Sequence, residues 1–312
     1  MQYRPLGKSG LSVSVIGFGA WQLNNPLWGG PDEAGSVRLV HAALAGGCTF
    51  FDTAPGYGDG ASERLLGLAL RGRRDEVVIC TKFGHAPGAE NDFSAARLRL
   101  VLEASLRRLQ TDRVDVLLLH NPPADRLDGA QAGDLYAELV ALQAEGKLRV
   151  FGASVDRADE LRTLSRTTPS GAAEVLFNAF HQEPRRAFAD AGAAGLGLIA
   201  KVPLDSGWLS GKYNEHSRFD GIRDRWTPDV VARRAALVRA LRALLPPGLA
   251  LAQAALRFVL AHREIATVIP GAKDHAQLEA NLAAAAAPLA PEIVPAIHDL
   301  WQREIAANPL PW

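Results

Sequence analysis

The chain has 312 residues, 48% of them hydrophobic and 22% charged, enough for a sizeable core and ordinary for a water-exposed globular protein. Its 34 basic and 34 acidic residues cancel, which leaves no electrostatic footprint for nucleic acid or for an anionic membrane surface. Apolar stretches fall short of a membrane span, the N-terminus carries no cleavable signal pattern, and Cys48 and Cys80 lie inside apolar runs, so a cytoplasmic protein without disulfides is expected.

In chain order, residues 1–14, with the turn Gly7-Lys8-Ser9-Gly10, predict a hairpin that plugs the floor of the fold. Short apolar, β-branched-rich runs then predict strands at 15–18, 49–52, 77–81, 114–120, 150–154, 174–177, 197–201 and 266–270. Helical patterns fall between them at 32–45, 62–70, 94–109, 130–145, 156–164, 185–191 and 251–261. Start signals are Ser94 before Ala-Ala-Arg-Leu, Asp156 three residues before Asp159, and Thr227 before Pro228. Residues 228–245 read as a helix added between the seventh and eighth strands, and the segment after Pro291 as a second addition. The long segment 205–225 carries Trp208, Tyr213 and Phe219, with Trp226 next to it, and is expected to shape a substrate pocket.

Eight strand–helix units in about 300 residues fit an α/β chain folded as a (β/α)8 TIM barrel, with an N-terminal hairpin and two additional helices. No Gly-, Ser- or Pro-rich linker divides it, so residues 1–312 read as one domain. Four polar residues stand at or just after strand ends: Asp52, Tyr57, Lys82 and His120. Strand C-termini converge on the barrel mouth, where an acid, a phenol, an amine and an imidazole make a proton-transfer relay. An enzyme is expected.

The phrases Phe51-Asp52-Thr53-Ala54-x-x-Tyr57-Gly58, Thr81-Lys82 and Leu119-His120 resemble the aldo-keto reductase family. So do Pro203-Leu204-x-Ser206-Gly207-x-Leu209-x-Gly211-Lys212-Tyr213 and Ile269-Pro270-Gly271-Ala272-Lys273. The resemblance implies a barrel that binds NADP(H), with NAD(H) possible, across its mouth and without a Rossmann domain. It implies Tyr57 as the acid, Lys82 as the cation that eases its proton release, and Asp52 as the partner of that cation. His120 then orients the substrate carbonyl and relays a proton in reverse.

The same resemblance places the nicotinamide amide near Ser154 and Glu174, and the pyrophosphate along Pro203, Leu204, Ser206, Gly207, Leu209 and Lys212. It assigns Gln277 and Asn281 to the adenine ribose end, while Gly271 and Lys273 lead into a helix whose N-terminus favours phosphate, with Lys273 the candidate for the 2′-phosphate. This chain departs from the pattern with Val155 for Asn, Glu174 for Gln, Ala280 for Glu, and Lys201 where an aromatic ring usually stacks. Gln277 also fits a capping-box variant with Asp274. Trp21, Trp28, Phe83, Asn121, Trp208 and Trp226 are the substrate-facing candidates, and several aromatics at one mouth suggest a flat or apolar carbonyl.

Two other readings have weaker footing. A metal-dependent barrel isomerase needs several carboxylates and histidines at strand tips, whereas the tips here offer mostly Lys, Ser and Asn; no metal is expected. A cofactor-sensing subunit is the other, since channel-associated β subunits resemble the same family.

Overall fold

The computed structural model describes residues 1–25, 29–85, 90–219 and 226–311. Strands β1 (Tyr3–Pro5) and β2 (Ser12–Ser14) pair antiparallel, Tyr3 opposite Ser14. Then follow β3 (Phe18–Gly19), α1 (Glu33–Ala45), β4 (Phe50–Asp52), α2 (Ala61–Ala69), β5 (Val78–Phe83) and α3 (Ala95–Leu109). The middle of the chain forms β6 (Val114–His120), the single turn α4 (Ala124–Leu127), α5 (Gly133–Ala144), β7 (Leu148–Val155), α6 (Ala158–Thr167), β8 (Ala172–Leu176) and α7 (Phe188–Ala194). The remainder supplies β9 (Gly197–Lys201), α8 (Pro228–Ala243), α9 (Leu251–Leu260), β10 (Ile265–Val268), α10 (His275–Leu282) and α11 (Ile293–Glu304).

Strands β3 to β10 run parallel in sequence order. Parallel bridges Ile16–Val268 and Gly19–Gly271 join the last strand to the first, with Gly17 N–H donating to Val268 O at 2.8 Å, so the sheet closes into a barrel. The expected (β/α)8 architecture is therefore present, with the hairpin and with α8 and α11 as the additions. No helix of the described residues is long and apolar enough to cross a membrane.

Local details differ from the sequence reading. The first barrel strand starts at Phe18, because residues 15–17 meet β10 only through an isolated bridge and loop hydrogen bonds. The helix expected at 185–191 opens as a 3-10 turn, Glu183–Ala187, with Pro184 in its first positions, and becomes α-helical at Phe188. Ser94 makes no side-chain cap; its N–H donates instead to Asp92 Oδ1. The cap expected from Asp156 and Asp159 is made by Glu160, whose longer arm reaches back to the N–H groups of Asp156 and Arg157.

Strand alternation sorts the core into two clusters. Phe50, Val78, Cys80, Val116, Leu118, Val150, Ala172 and Ile199 fill the barrel, and Leu6, Leu11 and Val13 of the hairpin pack against them as a floor. Gly7 sits left-handed at φ +54°, where a Cβ would come within 2.3 Å of Gly197 N, so no side chain fits at that corner. The neighbours on the other parity, such as Phe51, Ile79, Leu117 and Leu119, pack outward against the helices.

Two residues beyond interior apolar positions, the same face carries Asp52 after Phe50, Lys82 after Cys80, His120 after Leu118, Glu174 after Ala172 and Lys201 after Ile199. Parity alone thus stacks a polar layer on an apolar barrel.

A buried ionic anchor lies behind that layer. Glu63 of α2 is fully buried, accepting from Thr81 Oγ1 and Arg108 Nε, each at 2.6 Å. Glu63→Ala leaves both donors without their acceptor. Denaturant unfolding is expected to show a loss of about 3–5 kcal/mol; a loss under about 1 kcal/mol would mean that the pair contributes nothing specific.

Candidate active site

Lys82 is the centre of the polar layer. Its Nζ lies 2.5 Å from Asp52 Oδ1, 3.2 Å from Glu174 Oε2 and 3.2 Å from Thr53 O. The ammonium also sits 5.3 Å from the centroid of the Tyr57 ring. Tyr57 meets the His120 ring edge-on at 6.1 Å and the Trp21 ring at 4.5 Å. All four residues of the expected tetrad therefore meet at one end of the barrel.

The loop that carries Tyr57 is fixed by its own backbone and by buried hydroxyls. Tyr57 N–H donates to Ala54 O, and Ser62 N–H donates to Tyr57 O. Thr53 Oγ1 and Ser62 Oγ lie 2.8 Å apart, and Ser62 Oγ donates to Ala20 O. Left-handed Gly58, Asp59 and Gly60 turn the chain into α2.

The electrostatics follow from burial and from Lys82. Burial alone lowers an ammonium pKa, but Asp52 and Glu174 outweigh it and hold Lys82 well above its usual value. Burial pushes the Tyr57 phenol up, and Lys82 pulls it back. Burial first, then Glu174, pushes the Asp52 carboxyl up to about 7, against the pull of Lys82. His120 is pushed down to about 2 by burial and then by Lys82, His85 and Lys201, and it stacks on His85 at 4.5 Å. Its imidazole is neutral at working pH. In that form one ring nitrogen can donate and the other accept a hydrogen bond.

Lys201 has partners that the sequence did not name. Its Nζ lies 2.9 Å from Asp156 Oδ1, 2.7 Å from Ser154 Oγ and 3.0 Å from Asn121 Oδ1. Asn121 donates to Asp156 Oδ2 as well, so this substrate candidate belongs to the Lys201 cluster. Glu174 is the third residue of β8, not its first, and its Oε1 lies 3.4 Å from Ser154 Oγ.

The loop after β9 is a tight 3-10 turn, Asp205–Ser210, with Ser206 and Gly207 left-handed. It holds Pro203, Leu204, Ser206, Gly207 and Leu209 in one stretch. However, the N–H groups of Gly207 and Leu209 donate to Leu204 O, and the Leu209 side chain is buried in the core. Lys212 Nζ sits 4.7 Å over the Tyr213 ring. Below the turn, the buried Asp205 carboxylate pairs with Arg234 and lies 3.4 Å from His181 Nε2.

Around α10, Asp274 caps the helix through Gln277 N, Gln277 Oε1 accepts from Lys273 N at 3.2 Å, and Asn281 Nδ2 donates to Gly271 O. Gln277 thus makes the capping contact that the sequence allowed.

Most aromatic candidates are elsewhere. Trp208 and Trp226 are buried with Tyr213 and Phe219 in a cluster inside the loop after β9. Phe83 has the outward parity and packs against Phe93 in the helix layer. Trp28 lies outside the described residues. Only Trp21 of this group, 38% exposed against Tyr57, stands at the mouth among the described residues.

Asp52, Cys80 and Glu174 bring ligand-type atoms within 4.8 Å of one another. The Lys82 ammonium already occupies the cation position between the two carboxylates, and burial keeps the Cys80 thiol protonated. This cluster does not fit a metal.

Glu174 as a partner of Lys82, and His85 beside His120, emerge only from the fold. Counting parity along 172–176 would have placed Glu174 inside the barrel; nothing in the sequence marks His85.

Residues 15–302 match the family model described as the aldo/keto reductase family. L-galactose dehydrogenase of Arabidopsis thaliana is 31% identical over 91% of this chain and 88% of its own length. A probable voltage-gated potassium channel subunit beta of the same plant is 31% identical over 99% and 98%. The solved structure of a glycerol dehydrogenase from Gluconobacter oxydans superposes with a TM-score of 0.83 at 26% identity, covering 99% of this chain and 97% of that one. The matching span, the closed barrel and the assembled tetrad agree: the chain belongs to the aldo/keto reductase family, and it is an oxidoreductase.

Proposed function

We propose that this protein reduces aldehydes or ketones with NADP(H), or oxidises the corresponding alcohol or sugar, with Tyr57 as the proton donor. The observation that carries this reading is the Lys82 ammonium, fixed between buried carboxylates and 5.3 Å from the Tyr57 ring centroid. A phenol with an ordinary pKa of about 10 needs such a cation to release its proton. Neutral His120 would hydrogen-bond the carbonyl oxygen, and as that oxygen gains charge Tyr57 would protonate it.

The nicotinamide cofactor supplies the hydride when bound. The donor set at the mouth fits it. The Glu174 carboxylate would accept from a carboxamide NH2, with Ser154 and Asn121 beside it, and Lys212 and Lys273 carry charge suited to phosphates. Lys201, tied to Asp156, stands where a stacking ring is absent.

With Trp208, Trp226 and Phe83 accounted for as packing, the mouth is chiefly polar: His85, His120, Asn121, Asp156 and Lys201 beside Trp21. That favours a hydroxylated substrate such as a sugar or polyol over a flat apolar one, in keeping with the names of two of the relatives. The channel-subunit relative supports a second reading, a cofactor sensor with weak turnover. Oxidation of NADPH on addition of 4-nitrobenzaldehyde separates the two: sustained turnover supports the reductase, and tight cofactor binding without turnover supports the sensor.

Lys273 is the proposed contact for the 2′-phosphate that distinguishes NADPH from NADH. It immediately precedes the Asp274 cap of α10, where the helix dipole adds positive potential. One cation is expected to give a preference of about 1–3 kcal/mol, or about 5- to 150-fold. Dissociation constants for both cofactors, read by fluorescence, should converge in Lys273→Ala. An unchanged ratio removes Lys273 from the phosphate site.

A further inference from the structure

The role of Glu174 next to Lys82 extends beyond cofactor contact. We infer, on the reductase reading above, that Glu174 is a positioning residue that clamps the Lys82 ammonium together with Asp52. The two carboxylates retain one proton in the barrel, and loss of that proton limits carbonyl reduction on the alkaline side.

The geometry is a bridge across the barrel. Asp52 comes from β4, Lys82 from β5 and Glu174 from β8, and all three are at most 3% exposed. Lys82 Nζ reaches Asp52 Oδ1 at 2.5 Å and Glu174 Oε2 at 3.2 Å. One ammonium offsets one carboxylate. A second ionised carboxylate in a core of low dielectric leaves a net negative charge, and a proton is held in its place.

The other charged and titratable groups around the pair do not supply a second cation. Tyr57 and Cys80 are acids kept protonated by burial. His120 is neutral, with its pKa pushed down to about 2. Lys201 approaches through Ser154 Oγ at 2.7 Å, but its charge is matched by Asp156 at 2.9 Å. The rise of Asp52 to about 7 under burial and Glu174 is what this arrangement produces.

The consequence passes through Lys82 to Tyr57. While one carboxyl is protonated the cluster is neutral, and the phenol feels the ammonium. Once both ionise, the added negative charge raises the phenol pKa, since Asp52 and Glu174 both push it that way. Tyr57 becomes a weaker acid, and reduction slows as pH rises through neutrality.

Glu174→Gln keeps the shape and removes the charge. In the wild type, kcat for 4-nitrobenzaldehyde with NADPH is expected to fall about tenfold as pH rises from about 6 to about 9. In Glu174→Gln that step should move to lower pH, because the Glu174 charge that helps raise Asp52 is gone while the burial remains. A second measurement needs no turnover or cofactor. The infrared C=O stretch of a buried protonated carboxylic acid should be present in the wild type at about pH 6 and bleach through neutrality, and in the variant it should bleach at lower pH. The same alkaline step in both proteins, or no such band in the wild type, overturns the clamp. If neither protein reduces any carbonyl, the reductase reading fails and the infrared titration alone decides the clamp.

Discussion

Tyr57→Phe should lower carbonyl reduction by about 10²–10⁴-fold, the usual loss when a general acid is removed, while cofactor affinity stays within about twofold. Phenylalanine keeps the ring that packs edge-on against Trp21 and faces His120, so the loop that presents it has no reason to move. Only the proton is lost. The ammonium of Lys82, His120 and the cofactor groups remain, so a residual rate is expected and binding is spared. Stopped-flow reduction with saturating NADPH separates the two quantities. Retention of more than about a tenth of the rate would show that the proton comes from elsewhere.

Lys82→Met should be more damaging because it harms both the chemistry and the fold. Methionine matches the length of the side chain but leaves Asp52 and Glu174 facing each other in the barrel with no cation. Removing one partner of a buried ionic cluster typically costs about 3–5 kcal/mol. Reduction should fall at least as far as in Tyr57→Phe, since the phenol loses the charge that eases its proton release.

The pH dependence gives a second signature of this substitution. A carboxyl whose pKa is higher in the folded than in the unfolded chain takes up a proton on folding. Its contribution is complete below the unfolded value and is lost as pH rises through the folded one. For Asp52, that window runs from an ordinary carboxyl value of about 4 to about 7. Without Lys82 the rise is larger, so Lys82→Met should recover stability on acidification more steeply than the wild type. Urea unfolding at acid and neutral pH reads this directly; a variant equally unstable at both would show that the carboxylates are not the source of the loss.

Much of this molecule was legible in the sequence because barrel strands have a strong local signature. Runs such as Val114-Asp115-Val116-Leu117-Leu118-Leu119-His120 combine length, apolar content and a polar tip, and seven residues of β6 fall where that run predicts them. The hairpin was legible from Gly7 and Gly10, both left-handed. The meeting of Asp52, Tyr57, Lys82 and His120 followed from strand tips converging on one mouth.

What escaped depends on contacts between strands distant in sequence. Nothing local says that Lys82 on β5 reaches Glu174 on β8, or that Lys201 is neutralised by Asp156 from the end of β7. Trp208 and Trp226 misled because an aromatic in a long loop near a mouth can face the pocket or fill the loop. Here they fill it, around Tyr213 and Phe219. The caps shifted for a local reason: Glu160 has the reach that Asp159 lacks, and Ser94 N–H is held by Asp92 while its side chain caps nothing.

On the function proposed above, hydride passes directly from the nicotinamide to a carbonyl carbon at this barrel mouth. Incubation of the protein with NADPH carrying deuterium at the reactive ring position, and with 4-nitrobenzaldehyde, tests it most directly. Mass spectrometry of the product should find the alcohol with one deuterium on its carbinol carbon, formed by the wild type and nearly absent with Tyr57→Phe. Alcohol without deuterium, or no alcohol from any carbonyl in a panel that includes sugars and polyol-derived aldehydes, would rule this transfer out.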